Sequence, residues 1–275
     1  MRRKSHFNTM DHNLIFLHLP KNGGSTFHTI LNRLYPLKET FTIKLLSSTE
    51  LNTQDFINLP ADERKNIHLL KGHMQFGLHQ YLTGETKYIS FLRKPIDRIV
   101  SFYYYVLRQP THRLYDRIVK NKLSLHDFVT QVNENDIHNA QIRWISGIDA
   151  SENEMLGKAL ENIEKHFSFV GLQEKFDESI ILLKKIYGWK IPYYLIENQT
   201  KKKPAVIDLD HKTREVIKEL NNGDYILYEN IKKQFEHRLT KETSLNFELK
   251  KLRLLNKLYS LYSASPVKKI YHKLK

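Results

Sequence analysis

The chain of 275 residues contains no cysteine, which excludes disulfide bridges and thiol catalysis. The local ligand spacing of a structural zinc site is also missing, and no required metal is expected. No apolar run is long enough to span a bilayer. The N-terminal Met1-Arg-Arg-Lys4 is basic, but Ser5 through Asn13 lacks the apolar core of a secretory signal. These absences together predict a soluble, cytoplasmic protein without a transmembrane anchor. No internal repeat or extended low-complexity segment interrupts the chain, and its length suits one α/β domain with a sizeable core.

Negative charge is in short supply. Lysine and arginine number 44 against 30 aspartates and glutamates, a formal net charge of +14, so encounter with an anion is favoured electrostatically. Charge alone does not choose among phosphorylated nucleotide, charged glycan, lipid and nucleic acid. No nucleic-acid recognition module accompanies it, and a nucleic-acid partner is not expected.

What the chain does have is a pair of phosphate-type loops. The apolar run Leu14-Ile-Phe-Leu17 leads into His18-Leu-Pro-Lys-Asn-Gly-Gly-Ser-Thr26, and Thr26 to Leu34 has helix-compatible apolar positions before Pro36. A strand, a glycine turn and a helix N-terminus can hold an anion on backbone amides. Lys21 precedes both glycines, whereas the nucleotide-triphosphatase loop places lysine after its last glycine, so the order argues against a kinase or ATPase. A second strand-to-helix transition runs from Tyr88 to Ser101, with Arg93 at the strand end and Ser101 two turns into the helix that Pro95 opens.

Further strands are predicted at Phe41 to Leu46, Ile67 to Leu70, Lys87 to Leu92 and Phe167 to Val170. Helices are predicted at Asp136 to Ile145, Ser151 to His166, Gln173 to Tyr187, Leu209 to Leu220, Asp224 to Leu239 and Leu245 to Tyr262. The fold class is α/β, a central parallel sheet flanked by helices that gathers its C-terminal loops into one cleft. Three segments follow: a basic stretch 1–13, a main domain 14–240, and a helical extension with a basic tail 241–275. The last helix docks back, extends a basic surface or mediates a homo-oligomer. On the helix after Pro95, Ile99, Phe102, Tyr103 and Val106 share a buried side; Tyr104 and Tyr105 flank it, as packing or as an acceptor surface.

The two loops closely resemble the binding signatures of sulfotransferases that use 3'-phosphoadenosine 5'-phosphosulfate (PAPS). Gly72-His73, Asn139-Ala-Gln-Ile-Arg-Trp-Ile-Ser-Gly147 and Phe167 to Asp177 extend the resemblance toward the glycan O-sulfotransferase branch related to heparan 2-O-sulfotransferases. It covers roughly residues 14–235, and Ile142 departs from it where that branch often carries threonine. The resemblance implies a P-loop-like sulfotransferase fold, PAPS as sulfuryl donor, adenosine 3',5'-bisphosphate (PAP) as product, and a glycan or small carbohydrate as acceptor.

By the same resemblance, Lys21, Asn22, Gly23, Gly24, Ser25 and Thr26 hold the 5'-phosphosulfate, and Arg93 and Ser101 the 3'-phosphate. Arg98 is a wall of that site or the partner of an acid. His73 removes the acceptor proton while Lys21 stabilises the departing phosphate, and His79 stands second as base or acceptor-orienting residue. Asn139, Gln141 and Arg143 bind the acceptor or brace the cleft, and Arg143 can equally form an ion pair. Lys201, Lys202 and Lys203 close over the donor phosphates or form a solvated turn. A nonsugar alcohol acceptor, or a protein that binds anionic glycan or nucleic acid without transfer, are the alternatives.

Overall fold

Among the described residues, five short strands, most of them buried on both faces, form one parallel sheet in the order β2-β3-β1-β4-β5. The computed structural model describes residues 12–44, 52–190, 192–195 and 209–264. In chain order the elements are β1 (Asn13–Leu17), α1 (Gly24–Leu34), β2 (Thr40–Ile43), α2 (Thr53–Ile57), α3 (Ala61–Arg64), β3 (Leu69–Gly72), β4 (Thr86–Leu92) and α4 (Pro95–Val106). There follow α5 (Tyr115–Lys120), α6 (Leu125–Gln131), α7 (Ala140–Ser146), α8 (Glu152–His166), β5 (Phe167–Leu172), α9 (Phe176–Tyr187), α10 (His211–Leu220), α11 (Asn222–Thr240) and α12 (Leu245–Ala264). The expected central parallel sheet with flanking helices is present.

Strand order positions the site. From β1 the chain goes out to β2, returns to β3 beside β1, then crosses to β4 on the other side of β1. The loops after β3, β1 and β4 therefore open side by side at the C-terminal edge, the crevice where open α/β sheets take their ligands. The strands read as near-continuous apolar runs because helices cover both faces. Ser90, wholly buried in β4, is satisfied by donating to Leu17 O at 2.7 Å, which ties β4 to β1.

Helix ends follow local chemistry. Ser151 opens α8 with a reciprocal capping box to Glu154, and Ser124 opens α6 in the same way with Asp127. Pro95 occupies the first turn of α4. The helix expected from Asp136 starts only at Ala140, because Asn139 takes a left-handed φ of 51° and its carboxamide oxygen accepts from Asp224 N at 3.0 Å. A buried tertiary contact overrides the periodic pattern there.

Ile99, Phe102, Tyr103 and Val106 of α4 pack with Phe128 and Ile217 in a second core beside the sheet. The segment after Thr240 docks back: Leu249 and Leu252 of α12 enter the main core, and Lys184 meets Glu248 at 2.7 Å. No helix among the described residues is long and apolar enough to cross a membrane.

Candidate active site

The loop after β1 is shaped by two left-handed residues, Lys21 at φ 70° and Gly23 at φ 80°, after which α1 begins at Gly24. Gly23 as N-cap contributes no side-chain hydrogen bond, and the first turn of α1 carries no acid. Its amides and the positive end of its dipole thus face the crevice without an internal carboxylate to neutralise them. Gly24 has no room for a side chain: a Cβ there would lie 1.9 Å from His18 Nε2. Ser25 is exposed and Thr26 buried on the same turn. Asn22 is buried, and its Nδ2 donates to Phe91 O at 2.7 Å and Gln141 Oε1 at 2.8 Å, pinning the loop to the end of β4. Lys21 Nζ rests 3.9 Å from the centre of the Tyr105 ring, a cation–π contact that ties the loop to α4.

Arg93 comes directly after β4. Its Nη1 donates to Lys21 O at 3.0 Å, so the two loops are joined through their cationic residues. Its Nε is buried and has no hydrogen-bond partner. Burial pushes the guanidinium pKa down, while Asp97 and Glu174 pull it up. A buried guanidinium with an unused N–H is a donor suited to an oxyanion. Ser101 lies on the buried side of α4. Arg98, fully buried, donates through its terminal nitrogens to Asp136 O at 2.8 Å and Ile137 O at 3.1 Å, fastening the segment before α7, and its Nε, like that of Arg93, has no partner.

Between the loops sits a cluster of histidines. His18 and His73 stack with ring centres 4.1 Å apart, and His73 Nδ1 is 2.8 Å from His18 O. A carbonyl oxygen only accepts, so Nδ1 of His73 carries the proton and Nε2 keeps its lone pair. His18 Nδ1 is 3.0 Å from His28 Nε2, and His28 Nδ1 is 3.2 Å from Lys71 Nζ, which also donates to Asn32 Oδ1 at 2.6 Å. Burial is the largest cause of every shift here. It drives His18 well below 6.5, His28 down to about 3, Lys71 down to about 8, and His73 downward against a raising hydrogen bond to His18 O. The three imidazoles are therefore neutral at neutral pH.

The residues expected on the acceptor side are taken up by the protein itself. Gln141 is buried; its Oε1 accepts from Asn22 and from Arg93 N at 3.0 Å, and its Nε2 donates to Arg93 O at 3.0 Å. It is the bracket joining both loops, with no polar atom left for a sugar. Asn139 donates to Glu152 Oε2 at 2.6 Å besides capping Asp224 N, and Arg143 pairs with Asp149, the structural alternative of its two expected roles. His79 bonds the Tyr88 hydroxyl at 3.0 Å and lies against His166. Tyr88 is four residues below the end of β4, about 13 Å of strand rise, so His79 belongs to the lower part of the sheet and not to the crevice. Lys201, Lys202 and Lys203 lie outside the described residues.

Sequence reasoning passed over His28, Lys71 and Trp144, whose ring is 6.0 Å from that of His73. One signal was present: a lysine inside the buried run Leu69-Leu70-Lys71-Gly72 needs a paired partner. No group of three or more potential ligands among the described residues is arranged to hold a metal ion.

Galactose-3-O-sulfotransferase 2 of Sus scrofa is 24% identical over 269 residues, 84% of this chain and 62% of that protein. The Homo sapiens protein of the same name is 23% identical over 264 residues, 88% of this chain and 65% of its own. The chain thus spans somewhat less than two thirds of the length of these relatives. A solved mouse sulfotransferase complexed with PAP aligns over 86% of this chain and 91% of its own, with a TM-score of 0.47 and 12% identity. A model of the sulfotransferase family matches residues 5–230, from before β1 into α11 and across both cationic loops, and the chain belongs to that family.

Proposed function

We propose that this protein transfers the sulfuryl group of PAPS to a carbohydrate hydroxyl and releases PAP. The observation that carries the reading is the juxtaposition of an anion-binding loop with a buried neutral histidine. The α1 amides, Lys21 and the unpartnered Nε of Arg93 form a cationic cradle, and His73 stands beside it with a bare Nε2.

The donor set fits a nucleotide with two separated anionic ends. Gly23 to Thr26 and Lys21 would hold the 5' end, and Arg93 with the α4 residue Ser101 the 3'-phosphate. PAPS supplies, when bound, an electrophilic sulfur and a phosphate leaving group. His73 Nε2 takes the proton of the attacking hydroxyl, which requires the neutral form that burial maintains. Lys21 and the loop amides balance negative charge at the departing oxygen, and do so without reorganisation because Tyr105 and Arg93 already fix the loop.

The relatives' names favour a galactose 3-hydroxyl as the first acceptor to try, ahead of heparan. Incubation with labelled PAPS and a panel of galactose-terminated, glucosaminoglycan and nonsugar hydroxyl acceptors, followed by mass spectrometry, tests this. A sulfate ester on a sugar hydroxyl is expected. PAPS binding with transfer only to a nonsugar alcohol would overturn the acceptor class, and no PAPS binding would overturn the reaction.

A further inference from the structure

His18 and His73 are stacked neighbours, yet their hydrogen bonds give them opposite polarity. The direction of the chain that reaches His18 is set at its far end. Lys71 lies in β3, only 2% exposed, and an ammonium has hydrogens but no lone pair. His28 Nδ1, 3.2 Å away, must then accept, which puts the His28 proton on Nε2. That proton points at His18 Nδ1 at 3.0 Å, so His18 Nδ1 accepts and the His18 proton sits on Nε2. The Nε2 edge is the one that fills the space over Gly24, the first residue of α1. His73, held through Nδ1 by His18 O, has the reverse arrangement and offers a lone pair. One ring therefore presents a donor at the phosphate-type loop and the next presents an acceptor.

From this we infer that His18 is a second histidine of the reaction, donating Nε2–H to the sulfuryl-bearing end of the donor, and that Lys71 is a positioning residue that fixes this tautomer through His28. The inference rests on the PAPS reading above. It also accounts for a lysine buried in the sheet: the charge stays on Lys71 at neutral pH, and three adjacent imidazoles remain neutral and oriented.

The charged groups around the chain keep its imidazoles neutral. Lys71 faces Asn32 and His28 on α1, with Lys44 after β2 repelling it from outside. Lys21, His28, Lys71 and His73 all disfavour a charged His18, while the distant carboxylate of Asp136 acts on His73 in the opposite sense. Once Lys71 loses its proton near pH 8 it can accept as well as donate, and His28 and His18 are free to reverse. Nε2 of His18 would then turn a lone pair toward an anion. An alkaline limb in kcat governed by Lys71 follows.

The test has a spectroscopic arm that needs no turnover. In protein labelled with 15N at histidine, two-bond correlation spectra at pH 7 should show His18 and His28 protonated on Nε2 and His73 on Nδ1. Lys71→Met should mix the tautomers of His28 and His18, whereas Lys71→Arg, a donor that does not titrate, should keep them. In the kinetic arm Lys71→Met should lower kcat roughly 10- to 100-fold with PAP affinity unchanged, because PAP lacks the sulfuryl group. Lys71→Arg should shift the alkaline limb upward. His18→Gln, which retains an N–H near the Nε2 position, should keep more activity than His18→Phe. A wild-type spectrum with His18 protonated on Nδ1 or on both nitrogens overturns the proposal without any variant. So do unchanged tautomers and kcat in Lys71→Met. Failure of the wild-type protein to bind PAP would overturn the PAPS reading and the role of His18 in it, while the spectra still report whether Lys71 orders the chain.

Discussion

The two banks of the crevice treat their polar groups in opposite ways. On the bank formed by residues 18–28, 71–73 and 93, Arg93 Nε has no partner, and His73, bonded through Nδ1, keeps a lone pair on Nε2. On the bank formed by residues 136–149, the Asn139 and Gln141 carboxamides are bound to Asp224, Glu152, Arg93 and Asn22, and Arg143 pairs with Asp149 while its Nε, like that of Arg93, has no partner. Both stretches are rich in hydrogen-bonding residues, so composition does not separate them. The lone pair of His73 Nε2 does, because the Asn139 and Gln141 carboxamides are already spent within the chain.

The comparison breaks most sharply at Lys21. Lys21→Met should cut the rate of sulfuryl transfer about 10²- to 10³-fold, with a melting temperature close to that of the parent; a large thermal loss instead would place Lys21 among the bracing residues. Replacing His73 with Ala should lower kcat by about 10²-fold or more while isothermal titration with PAP changes little. An equal loss of PAP affinity would assign His73 to nucleotide binding.

Acid should reveal the histidine bank through stability. His18, His28 and His73 have folded-state pKa values below their unfolded value, so the unfolded chain binds more protons as pH falls beneath about 6.5. Their contribution is present above that pH and declines toward about 3, the folded value for His28. Urea midpoints should drop steadily from pH 7 to pH 5, and His28→Gln should flatten that slope; an unchanged slope would contradict neutral burial of His28.

On the opposite bank the expected effects are on folding. Gln141→Ala strands the Arg93 backbone and Asn22 in the interior, at a cost of about 2–4 kcal/mol in urea titrations. A raised acceptor KM with unchanged stability would restore Gln141 as a sugar contact. Asp149→Ala should change stability by less than about 1 kcal/mol, since the Asp149 side chain is 78% exposed and its bond to Arg143 is screened.

Much of the fold was legible because its determinants are local. The apolar run at Leu14, the turn at Gly23 and Gly24, the Pro95 start and the Ser151 capping box each act within a few residues. The readings that changed involve partners far along the chain. Gln141 looked like a cleft residue because its partners Asn22 and Arg93 are 119 and 48 positions away. The start of α7 was placed too early because Asp224, which accepts the Gln141 and Ile142 amides, belongs to α11. His79 follows the Gly72-His73 strand end closely in sequence, yet the chain carries it down the sheet to Tyr88.

By itself the sequence determined the chemistry available at the crevice: a cationic glycine loop, a second arginine loop and a histidine after a strand, all written in contiguous residues. Tertiary structure decided which of those groups remain open and which nitrogen of each imidazole carries the proton. Those properties belong to hydrogen bonds between β1, α1 and β3, which meet only when a parallel sheet sets strands 1 and 3 side by side.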